Sequence, residues 1–250
     1  MSRDRRFEDR VVVVTGAAVG IGKAAAEAFG AAGATVYLID VDAERGETSA
    51  ATIDGATFIH CDLTSERQVG EAVGRIGEGS DRVDVLVNNA GGFAAALGIE
   101  ETTPDEWRRI LEVNLTSVFL MTRAVLPLLR RSDAGRIINL GSLAGQTAGW
   151  RTAPPYVAAK AGVHGLTRAL ASELAAEGIT VNALAPSAVL TERIEQLRSP
   201  EELETTAASI PLGRYQTPDE LARWLLFLAS TEAGFMTGQT VSVNGGRFMA

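Results

Sequence analysis

The sequence predicts an α/β fold: one parallel sheet of seven strands, doubly wound, with helices on both faces. Three observations carry this expectation. Short β-branched runs alternate with longer Ala-rich segments along the 250 residues, the order of strands joined by crossover helices. The first run, Val11 to Val14, lacks polar alternation, as expected of a strand covered on both faces. No internal repeat, low-complexity tract or Pro/Ser-rich linker divides the chain, so residues 1–250 read as a single domain.

In chain order the pattern predicts a strand over 11–15, a helix over 20–32, a strand over 35–40 and a helix over 43–52. A strand over 56–61, a helix over 65–77 and a strand over 83–88 follow, then a Gly/Ala-rich loop. A long helix is expected over 104–130, broken or kinked near Pro127, where the ladder loses an N–H. A strand over 136–140, a helix over 156–177 and a strand over 180–184 come next. Residues about 187–216 read as a substrate lid loop with short helices. A helix over 218–229 and a strand over 240–243 complete the count.

Composition limits the partners. Hydrophobic residues make up 46% and charged residues 22%, ordinary globular usage. A net charge of -8 weighs against nucleic acid as a partner and against docking on anionic lipid. Cys61 is the only cysteine, which fits a reducing compartment. The N-terminus lacks a signal-like apolar stretch, and the apolar runs fall short of the ~20 residues that span a bilayer. The expectation is a cytoplasmic protein with no membrane partner.

Chemistry-bearing residues gather at the strand ends. Gly16, Gly20 and Gly22 lie between the first strand and the first helix, where backbone can approach a pyrophosphate and a helix N-terminus can face it. Asp40 ends the second strand and can accept from the hydroxyls of an adenosine ribose, while repelling a 2′-phosphate. Val19 and Val41, where a phosphate-binding cation could stand, are not basic. Asp62 can bond an adenine amine and Leu63 can pack on the ring. Asn89, Ala90 and Gly91 follow the fourth strand. Tyr156 and Lys160 are one helical turn apart, so the cation favours the phenolate. Ser142 sits just past the fifth strand, and Asn114 interrupts a helix it does not favour. His60 and His164 read as structural, and no Cys/His/carboxylate set has metal-ligand spacing.

Taken together, TGAAVGIG, Asp40, NNAG, Asn114, Ser142, YVAAK and TGQTVSVNGG resemble the classical short-chain dehydrogenase/reductase family over nearly the whole chain. The resemblance implies a Rossmann-type sheet and a catalytic set of Ser142, Tyr156, Lys160 and Asn114. Tyr156 would be the acid/base, Ser142 would orient the substrate oxygen, Lys160 would bind the nicotinamide ribose and lower the Tyr156 pKa, and Asn114 would hold a water of a proton relay. Val19, Ile21, Pro186, Val189 and Thr191 join the cofactor-binding residues. One departure is Ser187, where the family usually has Gly.

The activity expected first is hydride transfer between NAD(H) and a secondary alcohol/ketone pair. The alternatives are an NADPH-dependent 3-oxoacyl thioester (acyl-carrier-protein) reductase and a nucleotide-sensing binding protein without catalysis. Phe93, Leu97, Leu143, Trp150, Leu190 and Ile194 are expected to form an apolar substrate wall. Family members are commonly homotetramers, and Ala and Leu on several faces of helices 104–130 and 156–177 suit that assembly.

Overall fold

The computed structural model describes residues 6–93, 95–147 and 153–249. Its centre is a seven-stranded, all-parallel sheet with strand order β3-β2-β1-β4-β5-β6-β7. The strands are β1 (Val11–Thr15), β2 (Thr35–Asp40), β3 (Ala56–His60), β4 (Val85–Asn88), β5 (Arg136–Leu140), β6 (Thr180–Pro186) and β7 (Thr240–Val243). The order reverses between β1 and β4, the place where ligands bind in open sheets of this kind.

Successive strand residues face opposite sides of the sheet, and both sides are covered. Val12 and Val14 pack with α1 (Gly20–Ala31), α2 (Ala43–Ala50) and α9 (Pro218–Ala229) through Phe29, Ala50, Leu221 and Leu225. Val13 points the other way, toward α3 (Glu66–Gly79), α5 (Ser117–Leu129) and α6 (Pro154–Leu174), meeting a cluster with Ile76, Met121 and Leu174. The unbroken valine run therefore serves two cores.

The helix expected over 104–130 is not broken at Pro127. It comprises α4 (Pro104–Leu111), a π-helical turn at Glu112–Thr116, and α5, which continues past Pro127 to Leu129. Pro127 is exposed and near the helix end, so water can reach the carbonyl its ring leaves unpaired. The irregularity lies instead at Asn114, whose Nδ2 donates to the Ile110 carbonyl at 2.9 Å. The side chain takes the position four residues back that the backbone ladder would use. Ser117 N–H then pairs with Glu112 O, five residues back.

Among the described residues, Pro104–Leu129 is long and apolar enough to cross a membrane by length and composition, which corrects the expectation that no segment is. Its buried side belongs to the core, where Met121, Val125 and Leu128 sit under the sheet. Residues 187–216 carry two short helices, α7 (Glu192–Leu197) and α8 (Pro200–Ala208).

Candidate active site

A groove of about 720 Å³ opens at the carboxyl ends of the strands. One end is lined by Gly16, Val19, Gly20, Ile21, Asp40, Asp62 and Leu63, the other by Asn89, Ala90, Gly91, Tyr156, Lys160, Pro186 and Thr191. Four residues expected at the site do not line it: Ser142, Asn114, Gly22 and Val189. Gly22 lies inside the turn: a Cβ there would stand 2.1 Å from Gly16 O. The Val189 side chain is buried in the core and its backbone bridges to Gln216.

The glycine loop serves two purposes. A Cβ on Gly16 would fall 2.7 Å from Ala90 Cα, so Gly16 and Gly22 permit backbone to pack on backbone. Both Gly16 and Gly20 line the groove with positive φ, but only Thr191 comes within 4 Å of the missing Cβ of Gly20. Asn89 ties the turns together, donating through Nδ2 to Thr15 O and Gly16 O at 2.9 Å each.

A bound pyrophosphate fits what this loop leaves unmet. Asp42, Ser65, Thr103, Thr191, Ser199 and Thr217 cap α2, α3, α4, α7, α8 and α9 through their side chains. No side chain caps α1, whose N-cap is Val19. The first-turn N–H groups of α1 therefore need acceptors, and a phosphate supplies them at the positive end of the helix dipole.

At the adenosine end, Asp40 is held rigidly. Its Oδ2 accepts from Ala18 N–H at 2.9 Å and its Oδ1 from Asp42 N–H at 3.1 Å. Each carboxylate oxygen retains acceptor capacity for a ribose hydroxyl. Asp62 Oδ1 accepts from the backbone and hydroxyl of Thr64. The structure adds a cation that the sequence pattern hides. Arg45, in the first turn of α2, lines the same groove and donates from Nε to Asp42 Oδ2 at 2.6 Å.

At the other end, α6 presents Tyr156, Lys160 and His164 at four-residue spacing, hence on one face. Lys160 is buried and donates to Leu140 O at 2.6 Å. Its Nζ stands 5.7 Å from the centre of the Tyr156 ring. Burial pushes the Lys160 pKa down to about 8. Burial pushes the Tyr156 phenol up, and a hydrogen bond with Ser142 pulls it partly back. Burial is the larger cause of the Tyr156 shift, and the Lys160 ammonium lies over the ring.

Ser142 Oγ also accepts from Ala144 N–H at 3.1 Å. Behind it, Ser142 N–H meets His164 Nε2 at 3.5 Å, and burial drives the His164 pKa down to about 4. His164 thus supports the Ser142 turn as a neutral acceptor, a role its isolated place in the sequence did not suggest. Asn114 is fully buried. Its Oδ1 accepts from Gly92 N–H at 2.7 Å and its Nδ2 donates to Gly92 O and Ile110 O at 2.9 Å. Its side chain anchors the loop after β4 beside Lys160, and its Oδ1 keeps one lone pair.

Of the expected apolar wall, Phe93 packs on Tyr156 with ring centres 4.7 Å apart, while Leu143 is buried in the interior. Trp150 and the neighbouring Arg151 lie outside the described residues. Ser187 sits on ordinary backbone: among the described residues, Asp9 is the non-glycine with positive φ. Its Oγ donates to Asn244 O at 3.2 Å, so this position does not demand Gly.

Residues 16–247 match the family described as enoyl-(acyl carrier protein) reductase. The chain belongs to the classical short-chain dehydrogenase/reductases. It is 41% identical over 245 residues to the acetoacetyl-CoA reductase of Shinella zoogloeoides, covering 96% of this chain and 98% of that one. The Pseudomonas aeruginosa RhlG/NADP active-site complex superposes with a TM-score of 0.93 at 36% identity, over 99% of both chains. A 3-oxoacyl-[acyl-carrier protein] reductase with bound NAD from Brucella melitensis superposes at 0.90 and 36%, over 99% of this chain and 95% of that one. The family membership and the catalytic cluster make the chain an oxidoreductase that binds a nicotinamide dinucleotide and acts on a small molecule.

Proposed function

We propose that the chain reduces the 3-oxo group of an acyl thioester to a secondary alcohol, with NADH as the reductant and Tyr156 as the proton donor. The observation that carries this is the placement of Tyr156 at the groove beside Lys160 and bonded to Ser142, an arrangement that can pass a proton to a carbonyl oxygen. Relatives named for acetoacetyl-CoA and 3-oxoacyl substrates favour this thioester reading over the simple alcohol oxidation that the sequence placed first.

The reduced nicotinamide, when bound, supplies the hydride. The substrate's carbonyl oxygen then takes the former π pair and must gain a proton. Tyr156 gives it, and the phenolate left behind is stabilised by Lys160, which is mainly protonated below a pKa of about 8. Ser142 Oγ, with one lone pair filled by Ala144 N–H, can place its hydroxyl proton on the substrate oxygen or on Tyr156. Asp40 supports NADH over NADPH, because its carboxylate faces the groove where a 2′-phosphate would add negative charge. The same reading includes a cytoplasmic homotetramer. Two separate apolar exposures support it: Trp107 and Phe119 on α4 and α5, and Trp224 with Phe235 at and beyond α9. Two distinct self-complementary patches build a tetramer of two-fold symmetry.

The test compares acetoacetyl-CoA reduction with NADH and NADPH, and cyclopentanol oxidation with NAD⁺, by nicotinamide absorbance. Tyr156→Phe should lose about 10²–10⁴ in turnover while NADH binding, read by fluorescence, survives. Faster turnover of the cyclic alcohol than of the thioester, or near wild-type turnover by Tyr156→Phe, would overturn the assignment.

A further inference from the structure

The amino edge of the sheet carries a second cleft, at the opposite end of the strands from the groove. It encloses about 150 Å³. Arg10, Asp84 and Arg136 line it where β1, β4 and β5 begin, with Arg6 to one side and Thr231 and Glu232 just past α9. These strand starts are neighbours, since β4 pairs with both β1 and β5. Arg136 stands out among them. It is 6% exposed, yet its guanidinium makes one hydrogen bond among the described residues, from Nη1 to Gly135 O at 3.0 Å. Its Nε is buried without a partner. A guanidinium offers five N–H donors, and burying one so poorly matched is costly.

The carboxylates nearby are already engaged. Asp84 pairs with Arg10 and Arg82, Asp133 with Arg10, and Glu232 with Arg6. Burial and the Arg10 charge push the Arg136 pKa down, and Asp133 pulls it partly back. The cleft wall therefore sets three guanidiniums, of Arg6, Arg10 and Arg136, against two carboxylates, of Asp84 and Glu232. One positive charge is in excess, and Arg136 is the cation without a carboxylate. Arg10 reaches both its carboxylates through Nη1, so its other nitrogens have no carboxylate among the described residues. The carbonyl end of α9 also lies beside the cleft, and its partial negative charge softens the cost of the cation. It gives Arg136 Nε no hydrogen bond.

We propose that this cleft binds a small tetrahedral oxyanion, inorganic phosphate by its chemistry, held by the Arg136 and Arg10 guanidiniums with Thr231 at the rim. Arginine forks match phosphate oxygens in pairs. At about 30 Å³ per water, the cleft holds such an ion with a few waters and has no room for a nucleotide. The bound ion ties the chain before β1 to the start of β5 and the segment after α9, and so stabilises the folded state.

The experiment follows thermal unfolding of the full chain as inorganic phosphate replaces chloride at constant ionic strength. Saturating NADH is present throughout, so that the loop before α1, the other place where a phosphate fits, is filled. Wild type should gain about 3–6 °C in Tm at roughly ten times the half-saturating phosphate concentration, and the gain should level off. Arg136→Met should be at least as stable as wild type in chloride and should lose the saturable gain. Exclusion of phosphate from the protein surface acts on both proteins alike, so the difference between them reports the cleft. Arginine side-chain NMR reads the site in wild type directly: the Nε–H signal that is missing from Arg136→Lys should move as phosphate is added. A phosphate gain equal in wild type and Arg136→Met, or an Arg136 Nε–H signal that stays in place, overturns the proposal.

Discussion

Lys160→Met should abolish activity and yet stabilise the protein near neutral pH. Lys160 is 4% exposed, and burial alone lowers its pKa from 10.5 to about 8. At ~1.4 kcal/mol per tenfold change, holding that ammonium costs roughly 3 kcal/mol below pH 8. Methionine fills the space without a charge, but it abandons the Leu140 carbonyl now bonded at 2.6 Å to a charged donor, a loss of about 1.5–3 kcal/mol. The net expectation is a gain of at most about 1.5 kcal/mol at about pH 7. The sign with pH follows from proton binding. Between the folded pKa of about 8 and the unfolded value of 10.5, the unfolded chain holds the proton and the folded chain does not, so wild-type stability climbs with pH. The advantage of Lys160→Met must therefore shrink across that window. Equilibrium urea unfolding of both proteins at about pH 7 and about pH 9.5 measures the difference, in which the other groups that titrate there largely cancel. A variant less stable than wild type at the lower pH, or a difference that does not move with pH, refutes the reasoning.

Other outcomes follow from the same contacts. Asn114→Ala removes three hydrogen bonds, one of them buried, and should cost about 2–4 kcal/mol in urea unfolding, with turnover reduced more than substrate affinity because the loop beside Lys160 is loosened. A stability change under about 0.5 kcal/mol would show that Asn114 does not anchor that loop. Light scattering should give a tetramer, and Phe119→Asp, at a side chain 47% exposed on α5, should give a smaller species. A wild-type monomer at micromolar concentration would remove the proposed assembly.

The sequence was most legible where chemistry sits at strand ends. Strand ends are marked by where β-branched runs stop, and so the sequence alone places Asp40, Asn89 and Gly91 on one edge. What the sequence hid depends on how helices dock. Arg45 lies five residues past Asp40, beyond the neighbouring positions where a cation was sought, and only the cap formed by Asp42 turns it back to the groove. The break in the long helix was sought at Pro127, by a local rule. It occurs at Asn114 because a buried amide takes a ladder carbonyl, a competition visible only once burial is known. Glycine spacing marks the nucleotide loop, but it does not separate Gly16 and Gly20, which line the groove, from Gly22, which makes room for neighbouring backbone.

The face of α6 shows how one environment produces three different proton states. Tyr156, Lys160 and His164 are all desolvated, and desolvation always disfavours the charged form. For the phenol this means a raised pKa and a neutral acid. For the imidazole, pushed to about 4, it means a neutral ring at physiological pH. Lys160 starts from 10.5 and falls only to about 8, so it alone remains mostly charged. The three residues thus carry a single positive charge. His164 must be neutral for its Nε2 to accept from Ser142 N–H, because an imidazolium has no acceptor. The Lys160 cation also lowers the His164 pKa, so the group that steadies the phenolate helps to keep its neighbour a hydrogen-bond acceptor. Ser142 is then fixed from behind by a neutral ring and from its own turn by Ala144 N–H, leaving its hydroxyl for the bond with Tyr156.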